Sequence, residues 1–185
     1  MLEKEKCLDA EVLYRGKVVQ LRVETVQVQN GKTSKREIIE HCEGVCVVAL
    51  DANNEIALVR QYRRPIDDFL LELPAGKKEA EEDSLTCAIR ELKEETGLQA
   101  ENYVYLGADY VSPGFCTEKI HVYLATGLTK GQAAPDEDEF VEVFTYPLDT
   151  LVKMVMDGEI CDAKTAIGVL KTKFYIENKG GKNNE

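Results

Sequence analysis

Three glutamates in one short stretch carry the clearest chemistry in this chain. Within Gly76–Leu98, GKKEAEEDSLTCAIRELKEETGL, Glu91 and Glu95 stand four apart, and Glu94 lies three from Glu91. On a helix that spacing projects the carboxylates from one side. Like charges so placed repel and weaken an isolated helix. A cation held between them would reverse the sign of that effect. Mg²⁺ takes oxygen ligands of this kind, from a few carboxylates together with waters and substrate phosphates. An acidic helix face is more commonly just solvated, so charge alone does not make this a site.

The element that must position the glutamates reads as an amphipathic helix. Leu85, Ala88, Ile89, Leu92 and Thr96 recur at helical spacing and predict one apolar stripe. Asp83 or Ser84 suits the N-cap, and Gly97 suits the stop. Ahead of the helix, Phe69-Leu-Leu-Glu-Leu-Pro-Ala-Gly76 reads as a short strand ended by Pro74. Gly76 permits a tight turn in which backbone carbonyls can face a metal.

The same stretch matches a longer pattern: Gly76, five residues, Glu82, seven residues, then Arg90-Glu91-Leu92-x-Glu94-Glu95-x-Gly97-Leu98. Every fixed position resembles the signature of the Nudix hydrolases. The resemblance implies an α/β fold, an α/β/α sandwich with a mixed sheet and the signature helix beside it. It also implies hydrolysis of a diphosphate linked to another group.

The rest of the chain fits a mixed fold. Residues 12–41 read as a β-hairpin with Asn30-Gly31 as its turn. The alternation of Val19, Leu21 and Val23 changes phase at Val26 and Val28, which predicts a bulge near Thr25. Gly44–Leu50 is a continuous apolar run typical of a strand buried on both faces. Ile56–Tyr62, Tyr103–Tyr110, Lys119–Thr126 and Phe140–Tyr146 read as further strands. Pro147 opens a helix ending near Gly158, and Asp162 caps a last helix reaching about Ile176. Strands before, between and after the helices suggest a sheet covered on both sides.

Composition narrows the class. With 185 residues, 44% hydrophobic and 31% charged, the chain suits one globular unit. The formal charge of −11 argues against a nucleic-acid partner. No apolar run approaches a membrane span, and the charged start MLEKEKCLDAEVLYRG lacks a signal-peptide core. The expectation is a cytoplasmic protein with no membrane partner. The six cysteines form no CxxC pair and read as reduced thiols. His41, Cys42 and Cys46 fit no standard zinc spacing. Against the acidic background, Arg60, Arg63 and Arg64 form a basic cluster that could hold a diphosphate.

Beyond the signature, the chain resembles the ADP-ribose pyrophosphatase subfamily. Pro113 stands fifteen residues after Leu98, and RQYRRP, LELPAGK, Tyr110-Val-Ser-Pro-Gly-Phe115, the acidic loop Asp136–Glu139 and Gly158–Thr165 all resemble that group. The similarity implies Mg²⁺, with Mn²⁺ as an alternative ion, and metal ligands at Glu91, Glu95, the Ala75 carbonyl and Glu139. It implies Glu137 as the base, with Glu94 open as the base or a further ligand. Arg36, Glu37, Arg63, Ser112, Pro113, Gly114 and Glu118 match substrate contacts. Lys77 and His41 fall where relatives vary, and Tyr14 is a candidate to stack the adenine. Gly76, Glu82, Arg90 and Gly97 have structural roles in the motif, with Arg90 pairing an acid such as Glu82.

The same resemblance implies a homodimer with a swapped N-terminal region. The expected organisation is therefore residues 1–43 as an N-terminal hairpin region for dimerisation, 44–178 as the Nudix hydrolase domain and 179–185 as a disordered tail. The expected reaction converts ADP-ribose, or a related nucleoside diphosphate sugar, to AMP and ribose 5-phosphate. The alternatives are another nucleotide sugar or a nucleoside triphosphate as substrate, or a nucleotide-binding module without catalysis. Fold alone does not choose between them.

Overall fold

The protein is described from a computed structural model covering residues 1–134 and 140–181, the side chains of 179–181 excepted. The chain divides into two compact units. One comprises residues 1–43 with 110–119, the other 44–109 with 120–185.

The first unit is a three-stranded antiparallel sheet: β1 (Lys6–Arg15), β2 (Gln20–Gln27) and β3 (Thr33–Glu40), in that order. The expected hairpin is β2–β3, which turns at Gly31 with a positive φ of 81°. β1 is an addition to it. Its residues are almost all exposed, so it carries no clean hydrophobic alternation to announce a strand. β2 and β3 pair in unbroken register from Gln20↔Glu40 to Gln27↔Thr33. The irregularities lie in β1 instead, between Cys7 and Asp9 and between Val12 and Tyr14. The first of these faces Thr25 and Val26, so the bulge expected near Thr25 belongs to the neighbouring strand.

The second unit holds a mixed sheet. β4 (Gly44–Leu50) lies at its centre between β5 (Glu55–Arg63) and β9 (Lys119–Lys130). β8 (Leu98–Tyr110) flanks β9, and β10 (Val141–Pro147) flanks β5. β4 runs parallel to β9 and antiparallel to β5. The segment read as one strand from Phe69 to Gly76 is two: β6 (Asp68–Glu72) on β5 and β7 (Ala75–Lys77) on β4. Pro74 marks the break, since proline cannot continue a ladder.

β4 is buried along its whole length because both faces are covered. Val45, Val47 and Ala49 pack with Cys87, Ala88 and Leu92 of α1 (Ser84–Thr96). On the other face lies α3 (Ala163–Gly181), where a Cβ on Gly168 would come within 2.5 Å of Leu73 Cδ1 and 3.1 Å of Val48 Cγ2. Glycine there lets the helix approach the sheet closely. α2 (Leu148–Met156) packs against α3 and β10. α3 extends beyond the expected end at Ile176, to Gly181. Of the tail expected to be disordered, residues 182–185 lie outside the described residues.

Candidate active site

α1 begins and ends where its capping residues dictate. The Asp83 carboxylate accepts the amides of Leu85 and Thr86 at 2.9 and 3.0 Å, filling the N-cap role. Gly97 closes the helix in the left-handed region at φ 71°.

The helix is rotated from the expected stripe. Its buried residues are Cys87, Ala88, Glu91, Leu92 and Glu95, whereas Leu85 and Ile89 remain 40% and 44% exposed. The side that sinks toward β4 and β7 therefore carries two carboxylates. Glu91 is only 8% exposed and Glu95 only 4%. Burying two like charges is costly unless they are hydrogen-bonded and countered by a cation.

Each acid has a built environment. The Ala75 amide donates to Glu95 Oε2 at 3.0 Å, tying the end of α1 to β7. Glu91 occupies the space that a side chain at Gly76 would fill: a Cβ there would fall 2.0 Å from its carboxyl carbon. Arg90 then links the acids. Its Nε donates to Glu82 Oε1 at 3.0 Å, and one terminal nitrogen, Nη1, donates to both Glu91 at 2.8 Å and Glu94 at 2.9 Å. A further bond to the Lys77 carbonyl at 3.2 Å fastens the arginine to the loop. Hydrogen bonding from Arg90 holds the Glu82 carboxyl down at about 2, and the same acids push the Arg90 pKa up. The pairing of Arg90 with Glu82 expected from the sequence is present.

These residues fit a divalent cation in donor chemistry: hard carboxylate oxygens, buried and pre-placed beside a backbone turn. Among the described residues no three histidine, cysteine, aspartate or glutamate side chains gather tightly enough to hold an ion by themselves. Glu137 and Glu139, the expected base and fourth ligand, lie outside the described residues. Ahead of them, the Ala134 amide donates to the Glu94 carbonyl at 3.0 Å and the Gly131 amide to the Gly97 carbonyl at 2.7 Å.

Of the expected substrate contacts, Arg63 and Lys77 lie in the same unit as the glutamates. Arg63 ends β5 and bonds the buried Glu72 through Nε at 2.6 Å and a terminal nitrogen at 2.7 Å. The Lys77 residue is exposed on β7. Arg36, Glu37, Ser112, Pro113, Gly114 and Glu118 belong to the other unit. There Arg36 pairs with Glu5 at 2.5 Å, and Glu118 lies 3.4 Å from His41 Nδ1. The Ser112 carbonyl accepts from Phe115 and Cys116, which makes Ser112–Cys116 a tight turn. Tyr14 is exposed on β1, with its ring against Gly16.

Sequence reasoning missed a second polar cluster in the catalytic unit. Glu72, Lys164, Asp162 and Thr165 interlock behind Arg63. The available signal was a single glutamate inside the apolar strand Leu-Leu-Glu-Leu-Pro, where a charge needs buried partners.

The chain belongs to the Nudix family: the family model described as the NUDIX domain matches residues 40–165. It is a Nudix hydrolase. It is 44% identical over 170 residues to a methanol dehydrogenase activator from Bacillus methanolicus, covering 91% of this chain and 92% of that protein. It is 43% identical over 168 residues to an ADP-ribose pyrophosphatase from Bacillus subtilis (strain 168), covering 90% and 91%. The crystal structure of an ADP compounds hydrolase superposes with a TM-score of 0.87 at 21% identity, covering 97% of this chain and 98% of that one. That likeness establishes the α/β/α architecture.

Proposed function

We propose that this protein is an ADP-ribose pyrophosphatase that hydrolyses ADP-ribose to AMP and ribose 5-phosphate with Mg²⁺, Mn²⁺ serving as an alternative ion. The observation that carries the reading is the buried Glu91–Glu95 pair set against Gly76, in a chain 43% identical over nearly its full length to a protein of that activity. A diphosphate resists attack because its oxygens repel a nucleophile. A bound divalent cation supplies charge neutralisation and acidifies water.

The chain's own residues do the rest. Glu91 and Glu95 would hold the ion together with the Ala75 carbonyl and Glu139. Arg90 orients Glu91 and Glu94 and is itself fixed by Glu82. Glu137 accepts the proton of the attacking water, with Glu94 as the alternative base. The Ala134 amide, bonded to the Glu94 carbonyl, brings the chain ahead of Glu137 to the last turn of α1, which supports this. Arg63 and Lys77 bind the phosphates. Arg36, Glu37, Ser112, Pro113, Gly114 and Glu118 contact the nucleotide sugar, and Tyr14 offers a ring for the adenine.

The protein acts as a homodimer with its N-terminal region swapped, and resides in the cytoplasm. Leu8, Leu13 and Val18 stand exposed in the single chain, which supports a second copy covering them. All six cysteines are unbridged, in keeping with a reducing compartment. Light scattering at assay concentration should give a dimer, and a fully active monomer would remove the swap.

Comparing rates on ADP-ribose, GDP-mannose, NADH and dGTP with Mg²⁺ tests the substrate. ADP-ribose should be preferred; a faster rate on another member would transfer the assignment to it. One observation favours a second reading: the 44% identical relative is named as an activator of a dehydrogenase. Adding wild-type protein and Glu95→Gln to a methanol dehydrogenase assay tests it. Stimulation by wild type alone would place the effect in the hydrolytic site.

A further inference from the structure

Among the described residues, Glu72 is the most deeply buried charged side chain of the catalytic unit, at 1% exposure. It stands in β6, where its strand register sets it opposite Val59 of β5. Burial by itself would push its carboxyl up. The hydrogen bonds from Arg63 and the charge of Lys164 outweigh that, so its pKa lies below the ordinary value and it is an anion at neutral pH. Two cations meet on this one carboxylate. Arg63 grips it with a bidentate bond, and Lys164 Nζ bonds the same oxygen, Oε2, that Arg63 uses.

Lys164 is fixed in turn. Its ammonium reaches Asp162 Oδ2 at 3.0 Å. That oxygen also caps α3, accepting the Thr165 amide at 3.0 Å and the Thr165 hydroxyl at 2.5 Å. The Thr165 oxygen accepts the Leu73 amide at 2.8 Å, just past the end of β6. The start of α3 is thus stitched to the strand that leads into the signature loop. Its lysine completes the charge balance around Glu72: two cations against two anions.

The geometry leaves Arg63 with work to do at its other edge. A guanidinium carries five donors in a planar fork, and the bond to Glu72 uses the Nε side. The Arg63 side chain is 41% exposed whereas its partner is buried. Lys164 and Asp162 fix the carboxylate that grips Arg63, so the guanidinium is held in one orientation with its remaining N–H donors toward solvent.

We propose that Glu72 and Lys164 are positioning residues that hold Arg63 with its free edge presented to a substrate phosphate. Neither touches substrate; both act through the arginine. The inference rests on the reading of Arg63 as a phosphate contact and adds what orients it. It also gives the N-terminus of α3, remote in sequence from the signature, a part in substrate affinity.

The test compares Lys164→Met, Lys164→Arg, Glu72→Gln, Arg63→Gln and the double variant Arg63→Gln/Lys164→Met. Two readouts are taken: KM and kcat for ADP-ribose with Mg²⁺, and calorimetric binding of ADP with Mg²⁺. Lys164→Met and Glu72→Gln should each raise KM and the ADP Kd about 10-fold or more, with kcat within about 3-fold and an unchanged Mg²⁺ requirement. Lys164→Arg should restore most of the loss, and Lys164→Met should add little once Arg63 is already Gln. If one single variant fails to fold, the other carries the test. A purely structural role would lower the melting temperature and leave KM and Kd unmoved, which would overturn the proposal. If Arg63→Gln raises KM and folded Lys164→Met does not, only the positioning role falls. If Arg63→Gln changes neither readout, or wild type binds neither ligand, the phosphate role of Arg63 falls with it.

Discussion

Gly76 and Glu91 compete for one space: a Cβ on the glycine would lie 2.0 Å from the glutamate's carboxyl group. The φ of Gly76 is not positive, so the requirement is for room rather than for an unusual backbone. The clashing group is the end of a flexible side chain, which can swing away at small cost to the fold. Gly76→Ala should therefore keep stability within about 1 kcal/mol of wild type while removing the acid from its seat. Turnover should fall at least ~100-fold, as when a charge-stabilising site is damaged. Paired thermal melts and Mg²⁺-dependent rates check this. A folded Gly76→Ala protein with normal turnover would show that Glu91 need not sit there.

The rotation of α1 makes a separate prediction about stability. Leu92 is fully buried against β4, whereas Leu85 and Ile89 are 40% and 44% exposed. Leu92→Ala should cost about 2–5 kcal/mol. Ile89→Lys should stay within about 0.5 kcal/mol. Urea titrations of both variants decide the matter, and equal losses would restore the stripe read from periodicity.

That rotation also marks what was legible in the sequence. The limits of α1 were readable from Asp83 and Gly97, because capping is local chemistry. The burial of β4 was readable from its seven unbroken apolar residues, Gly44–Leu50. The buried face of α1 was not. Periodicity ranks residues by hydrophobicity and so preferred Leu85 and Ile89 to Glu91 and Glu95. The fold instead sinks the glutamates against Ala75 and Gly76, where a backbone amide and Arg90 compensate them. The signature match singles out those acids by type and spacing, which periodicity alone does not. The cluster around Glu72 was illegible for another reason: Glu72 and Lys164 are 92 residues apart, and only the docking of α3 brings them together. β1 went unread because almost none of it is buried.

The Glu82–Arg90 pair predicts a dependence of stability on pH. An unfolded glutamate titrates near 4.3, and in the fold hydrogen bonds from Arg90 hold the Glu82 carboxyl at about 2. A depressed folded pKa means stability that is fully present above the unfolded value and lost as pH falls toward the folded one. Wild type should lose melting temperature through this window, from about 4.3 down to about 2, more steeply than Glu82→Gln, which has no proton to take up. Calorimetry across that range measures both slopes. Parallel slopes would mean that the pair contributes nothing to acid stability.

Base and ligand roles separate by their metal dependence. Glu137→Gln should keep its Mg²⁺ requirement and lose kcat, whereas Glu139→Gln should need more Mg²⁺ and also turn over more slowly. Mg²⁺ titrations of the two variants test the assignment. An active Glu137→Gln beside an inactive Glu94→Gln would move the base onto α1.

The most direct measurement is product identification from ADP-ribose with and without Mg²⁺, run on wild type and Glu95→Gln. Glu95 is buried, bonded to the Ala75 amide and placed in the signature, so its variant separates catalysis from contamination. Wild type should release AMP and ribose 5-phosphate in equal amounts, only with the metal, and Glu95→Gln should be slower by at least ~100-fold. No AMP from wild type, or near-normal release from a folded Glu95→Gln protein, would contradict the account.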